Sequence, residues 1–323
     1  MKRQVTCASA LLALLAASPA LAADYLLRPA YPQEFGFTDE SLVRFEVGAR
    51  YWYAWGGQNA GFSSPYGPVD LTVRDQTHLL ELHGRIDDLY TDTYLKGWAG
   101  YGVGTTGTYS ISPASSGSIG NQSHIGYAGI DYGWMPFGQM DDGVAGGAFV
   151  GYTYWKDAPD IGTGQVAASF NPITGLPATF TEARDNFDIH ALRLGVRGTA
   201  EFDMFDIQAE VAAIPYAHVS GQVGGSSPSG FVFPALGGIP VFENAPTTLT
   251  GRGYGVMTEA MIGFHPTENL TIRAGGRAWY LQGELDAVFN GTVGGTAQPA
   301  MTIPSTYASL FRYGAMLELT GKF

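Results

Sequence analysis

Cysteine is almost absent: Cys7 is the single one in 323 residues. It falls in an N-terminal segment that reads as an export signal, so the mature chain is expected to carry no thiol. That excludes a disulfide, a thiolate metal site and a cysteine nucleophile. Cys7 does not stand at the expected cleavage point, which argues against a lipid-anchored lipoprotein. Charge is also scarce. Asp, Glu, Lys and Arg make up 14% of residues, and the net charge is −12, or about −14 once Lys2 and Arg3 are removed. An acidic chain with no basic face argues against nucleic acid as a partner. After the signal no stretch is apolar for 18 residues, so no spanning helix is expected. The six histidines show no ligand-like spacing, and no metal or cofactor is expected.

What is abundant points elsewhere. The chain holds 45 glycines, and aromatics are 13% of it. Lys2 and Arg3, an apolar stretch over 8–17 and the small-x-small site Ala20-Leu21-Ala22 form a secretory signal. Segment 1–22 is therefore a signal peptide, 23–41 a periplasmic lead that Pro29 and Pro32 keep irregular, and 42–323 the folded body. An exported, Gly- and aromatic-rich chain without spanning helices suits a closed sheet in a membrane. There every backbone amide needs an internal partner.

Ten segments alternate as barrel strands should: 42–55, 76–86, 93–105, 123–135, 143–155, 187–200, 205–218, 252–264, 270–283 and 307–323. The connections 87–92, 136–142, 201–204 and 265–269 are tight. Those at 56–75, 106–122, 156–186, 219–251 and 284–306 are long and rich in Gly, Ser, Thr and Pro. This predicts an all-β fold: one transmembrane antiparallel up-and-down β-barrel of about ten strands in the bacterial outer membrane. Its turns would be short and periplasmic, its loops long and extracellular. Phe323, on the apolar face of the last strand, reads as a signal for the barrel-assembly machinery. Outer-membrane lipid and lipopolysaccharide are the other expected partners, and no extracellular partner can be named.

Alternation also assigns a lumen. Arg44, Arg50, Arg85, Lys96, Arg193, Arg197, Arg273, Arg277, Arg312 and Lys322 are expected to point inward with Glu46, Glu81, Asp131, Glu210, Glu259 and Glu318. His83 joins them through the one-face run Glu81-x-His83-x-Arg85. So many long side chains of both signs should pair and close a barrel this narrow. A surplus of positive charge leaves room for a narrow anion-preferring path. Aromatics near strand ends read as headgroup girdles: Tyr51, Trp52, Tyr53 and Trp55; Tyr132 and Trp134; Tyr152, Tyr154 and Trp155; Trp279 and Tyr280. Asp87, Asp88, Asp92, Asp141, Asp142, Glu201, Asp203 and Glu268 in the short turns read as a solvated acidic rim.

Ten strands with five external loops resemble the omptin family of outer-membrane proteases. The resemblance implies two acids on one rim near the second long loop and an Asp-x-His couple opposite, near the fourth. Asp188-Ile189-His190 has the Asp-x-His spacing, but it lies at the third long loop and shares parity with Leu192 and Leu194, which turns it outward. His218 at the fourth loop is preceded two residues earlier by Tyr216. The second loop, 106–122, holds no Asp or Glu. The paired carboxylates are therefore missing and no enzyme is expected. Leu95-Lys96-Gly97-Trp98-Ala99-Gly100, Gly147-Ala148-Phe149-Val150-Gly151-Tyr152, the Ala22-Ala23-Asp24 start and Phe323 are similar to α-proteobacterial outer-membrane barrels of the omptin-like, Omp25-like kind. That resemblance implies a structural or surface-interaction role. A narrow porin-like passive channel and an omptin-like protease are the alternatives.

Overall fold

The computed structural model describes residues 43–64, 67–112, 115–138, 140, 143–160, 165–170, 177–179, 181–226, 233–236, 239–243, 247–289, 291–293, 296–297 and 299–323. The segments read from the sequence as signal peptide and periplasmic lead, 1–22 and 23–41, lie outside them. Sixteen strands follow in chain order: β1 (Val43–Ser64), β2 (Gly67–Asp88), β3 (Thr93–Ser112), β4 (Ser115–Gly138), β5 (Val144–Asp160), β6 (Gln165–Phe170), β7 (Pro177–Thr179), β8 (Thr181–Phe202), β9 (Phe205–Ser226), β10 (Phe233–Leu236), β11 (Ile239–Glu243), β12 (Thr247–Thr267), β13 (Leu270–Phe289), β14 (Gly291–Val293), β15 (Thr296–Ala297) and β16 (Met301–Lys322). Ten of them close a barrel in the order β1-β16-β13-β12-β9-β8-β5-β4-β3-β2. Every barrel pair is antiparallel. The first and last strands close the ring, Arg50 opposite Glu318, and Phe45 and Phe323 exchange backbone hydrogen bonds of 3.0 and 2.8 Å. Followed around the ring, the register that starts at Arg50 returns to β1 near Phe62. The strands therefore tilt steeply against the barrel axis.

The strands run farther than a bilayer requires. β4 has 24 residues and β1, β2, β8, β9 and β16 have 22 each, against roughly 9–11 needed to span. Much of what reads as long loop is paired sheet: β1 and β2 stay in register up to Ser64 opposite Gly67. The cause is an inversion of the burial pattern along each strand. In the lower part of β2, Leu80, Leu82 and Ile86 are exposed while Glu81, His83 and Arg85 are buried. Higher on the same strand, Leu71 and Val73 are buried while Asp70, Arg74 and Gln76 are exposed. β13 repeats this, with Ile272 exposed and Arg273 and Arg277 buried, then Leu281, Leu285 and Ala287 buried and Glu284 and Asp286 exposed. Where lipid surrounds the wall, apolar groups face out. Where water surrounds it, they face in, and a pattern that sought greasy outer faces stops at the crossover.

The apolar upper interior gathers Ala60, Phe62, Leu71, Val73, Tyr109, Ile119, Phe187, Leu249, Leu285 and Ala287 into one cluster. It holds the extramembrane wall together as a soluble core would, at about 1.5–3 kcal/mol per buried large side chain. Two small sheets, β10-β11-β14-β15 and β6-β7, occupy parts of the long connections that the sequence left as loop.

The tight turns carry their own chemistry. Asp92 and Asp203 have φ of 53° and 50°, and Gly138 and Gly143 have 87° and 74°. Asp tolerates the left-handed region because its short carboxylate bonds locally. Asp203→Val is expected to cost about 1–2 kcal/mol from backbone strain alone, and Asp203→Gly to cost nothing comparable. Urea midpoints of the two variants check this.

Candidate functional site: the barrel interior

Inward-facing side chains of the membrane section form one ionic network. Arg50 bonds Glu81 at 2.8 Å and also pairs with Glu318. Arg277 reaches Glu81 at 2.8 Å and Glu259 at 2.6 Å, and the Tyr127 hydroxyl donates to Glu81 at 2.6 Å. Arg273 joins Glu318 and Asp206 at 2.6 and 3.0 Å. Glu210 collects Lys96, Arg193 and Arg197 within 3.0–3.1 Å, and Arg193 also holds Asp131 at 3.0 Å. Arg85 and Arg44 share Asp87 at 2.6 and 2.9 Å. His83 lies 3.6 Å from Glu318, and Glu46 sits buried in the field of Arg85 and Arg273. The run Glu81-x-His83-x-Arg85 is thus spread through the network and assembles no separate site.

Four acids belong to this interior that the alternation reading omitted: Asp75, Asp87, Asp157 and Asp206, all buried. With Glu46, Glu81, Asp131, Glu210, Glu259 and Glu318 they make ten. Ten bases face them, counting Arg44 and Lys322 at the mouth. The expected surplus of positive charge is cancelled. Asp87, read as part of a solvated rim, is 0% exposed, because it lies within β2, one residue before the strand ends, and shares the inward face of Glu81, His83 and Arg85.

The tryptophans need a second correction. Trp52, Trp155 and Trp279 are at most 2% exposed and point into the barrel. Each neighbours a tyrosine in sequence, and consecutive strand residues cannot share a face. Tyr51, Tyr132, Trp134, Tyr152 and Tyr280 do face outward. Inside, Tyr127 stacks on Trp155 at 5.0 Å, and Trp155 meets Trp279 at 5.0 Å and Trp52 at 6.2 Å. Arg277 lies over Trp52 at 5.2 Å and Arg312 over Trp155 at 5.2 Å, so cation–π contacts tie the aromatic layer to guanidinium groups. Arg312 binds Asp75 at 2.7 Å and Asp157 at 3.2 Å. β16 and β5, which carry Arg312 and Asp157, stand five places apart in the ring of ten. That ion pair therefore bridges the full width of the lumen.

Asp188 and His190 are on the outer wall. Tyr154 donates to Asp188, Lys156 pairs with Asp188 at 3.3 Å, and the Tyr152 hydroxyl bonds His190 Nδ1 at 2.6 Å. His190 stacks on His218 of the next strand at 6.5 Å between ring centres. No carboxylate pair from β3 or β4 meets them among the described residues. A different constellation lies at the periplasmic mouth, and sequence spacing gave no hint of it. Thr271 Oγ1 lies 2.9 Å from His265 Nδ1, and His265 Nε2 is 2.9 Å from Asp206. The order hydroxyl, imidazole, carboxylate is that of a nucleophilic relay. Thr271 is 0% exposed, however, and Asp206 is already held by Arg273, so no substrate carbonyl can reach the hydroxyl.

No protein-family model matches the chain, and no curated protein matches it. Solved structures do. The outer membrane protease OmpT from Escherichia coli superposes with a TM-score of 0.56 at 9% identity, over 87% of this chain and 96% of that one. The translocator domain of the autotransporter NalP from Neisseria meningitidis gives 0.35 at 11% identity over 98% of both chains. Neisserial surface protein A gives 0.24 at 14% identity over 84% and 96%. The likeness to OmpT is one of fold. With the closed ring and the apolar outer belt, it makes this chain an outer-membrane β-barrel protein.

Proposed function

We propose that the protein is a non-enzymatic barrel with a structural or surface-interaction role, closed to solutes and presenting its extramembrane wall and loops to the outside. The Omp25-like, α-proteobacterial resemblance of its strand phrases agrees with this reading. The observation that carries it is the Arg312–Asp157 bridge across the whole lumen, stacked above the Trp52, Tyr127, Trp155 and Trp279 layer and the ionic network. A solute would have to break buried ion pairs at several levels in turn. Loops on a rigid scaffold are where contacts with other molecules are usually made.

The test is conductance in planar bilayers. Refolded protein is expected to give no discrete steps, and steps that vanish on denaturation would replace this reading with the narrow channel. Incubation with dibasic peptides addresses hydrolysis. No cleavage is expected, and cleavage abolished by His190→Ala would make the outer-wall pair Asp188 and His190 catalytic.

A further inference from the structure

The β8–β9 register sets His190 directly opposite His218, two imidazoles that lie far apart along the chain. Both stand on the outer wall. On β8 the lipid-facing run Leu192, Leu194 and Val196 ends below His190, and Lys156, Asp188 and Ser220 form the next row above. Directly opposed side chains of an antiparallel pair start from Cβ atoms about 4.5–5.5 Å apart, so the two rings leave the wall side by side. Their centres are 6.5 Å apart and their planes 27° from parallel.

The pair is supported on one side and open on the other. The Tyr152 hydroxyl lies 2.6 Å from His190 Nδ1, and the Tyr154 ring packs 5.2 Å from the same imidazole. One nitrogen of His190 is thereby engaged, and Nε2 is left. No hydrogen bond or ion pair reaches His218 among the described residues. No further His, Asp or Glu completes a group of three around them among the described residues. Asp188, the nearest acid on the same strand face, already accepts from Tyr154 and Lys156 through Oδ1.

We propose that His190 and His218 form a two-imidazole chelate for a late divalent transition metal, copper(II) above all. His190 Nδ1–H donates to the Tyr152 oxygen, the outer-shell bond that orients the ring of a metal-bound histidine, and Nε2 presents its lone pair. Metal–nitrogen bonds of about 2.0–2.1 Å bring the ring centres to roughly 5 Å, which two exposed side chains reach from 6.5 Å by rotation. Imidazole suits copper, nickel and zinc, and affinity among them peaks at copper(II). Its tetragonal sphere accepts two neighbouring nitrogens with water at the other positions, whereas structural zinc sites take a closed tetrahedral set that this wall does not supply.

The probe is copper(II), titrated calorimetrically into the refolded barrel in phosphatidylcholine nanodiscs, with pulsed EPR counting the imidazoles on the ion. Wild type is expected to bind one ion through two imidazoles. His190→Gln and His218→Gln should each weaken copper at least tenfold and leave a single imidazole. His78 and His124 also meet tyrosine hydroxyls through Nδ1 but have no histidine opposite, so His78→Gln and His124→Gln should change nothing. Tyr152→Phe should keep both imidazoles and weaken binding about tenfold, the usual effect of losing an outer-shell partner. Arg252 stands opposite His218 on β12 and pairs with no acid among the described residues. Its charge opposes a cation, so Arg252→Gln should tighten copper about two- to fivefold, where an anion in its place would be loosened. Heat-modifiable gel migration verifies that each variant is folded. Copper held equally by wild type and both histidine variants would mean binding elsewhere and overturn the site. A single imidazole in wild type, or copper loosened by Arg252→Gln, would overturn it as well.

Discussion

Arg277→Ala is expected to lower the stability of the barrel by about 3–5 kcal/mol, the usual cost of removing one member of a buried ion pair. Arg277 is 3% exposed and serves both Glu81 and Glu259. Without it Glu81 keeps Arg50 and Tyr127, but Glu259 is left with Arg50 at 3.6 Å and Lys96 at 4.0 Å. The penalty is chiefly that of carboxylate charge stranded out of water. The pair of substitutions Arg277→Met and Glu259→Leu should therefore recover most of the loss, because no unmatched ion remains. Urea unfolding in lipid vesicles measures both. If the single and the double variant lose the same amount, shape rather than charge holds the interior.

Leu82→Arg tests the outer wall. Leu82 lies between Glu81 and His83 on β2 and is 57% exposed, facing lipid. An arginine on the lipid face near the bilayer midplane costs about 2–4 kcal/mol, and near zero to 1 at the interface. Thr72→Arg on the same face of the same strand stands above the crossover, where Asp70 and Arg74 already meet water. It should change stability by no more than about 0.5 kcal/mol. Similar losses at positions 72 and 82 would remove the membrane belt from the lower part of β2.

The number of barrel strands, their order and the tight turns were legible because lipid and lumen impose opposite demands on alternate residues. Phe45 and Val47 against Glu46, or Leu80 and Leu82 against Glu81, leave one facing and no other. Above the crossover the same period continues with its polarity reversed. Asn59 next to Ala60, or Arg74 next to Val73, gives a weak and inverted signal that resembles a loop. Asp75, Asp157 and Asp206 were missed for the same reason: they sit where the pattern turns over or the strand begins. The sequence also has no means of showing which charges meet. Lys96 and Glu210 are separated by 114 positions, Arg312 and Asp157 by 155, and only ring closure brings them within bonding distance. Thr271 and His265 are close in sequence, yet Asp206, which completes their chain, arrives from another strand.

The reversal of inside and outside along each strand amounts to a waterline written into the wall. Below it the barrel is solvated by hydrocarbon, above it by water, and the chain cannot slide by two residues in either direction without wetting leucines or greasing arginines. A thicker membrane would press acyl chains against Arg74, Arg252 and Glu284. The bilayer is then the softer partner: it must thin around this protein, because the protein has fixed its own draught.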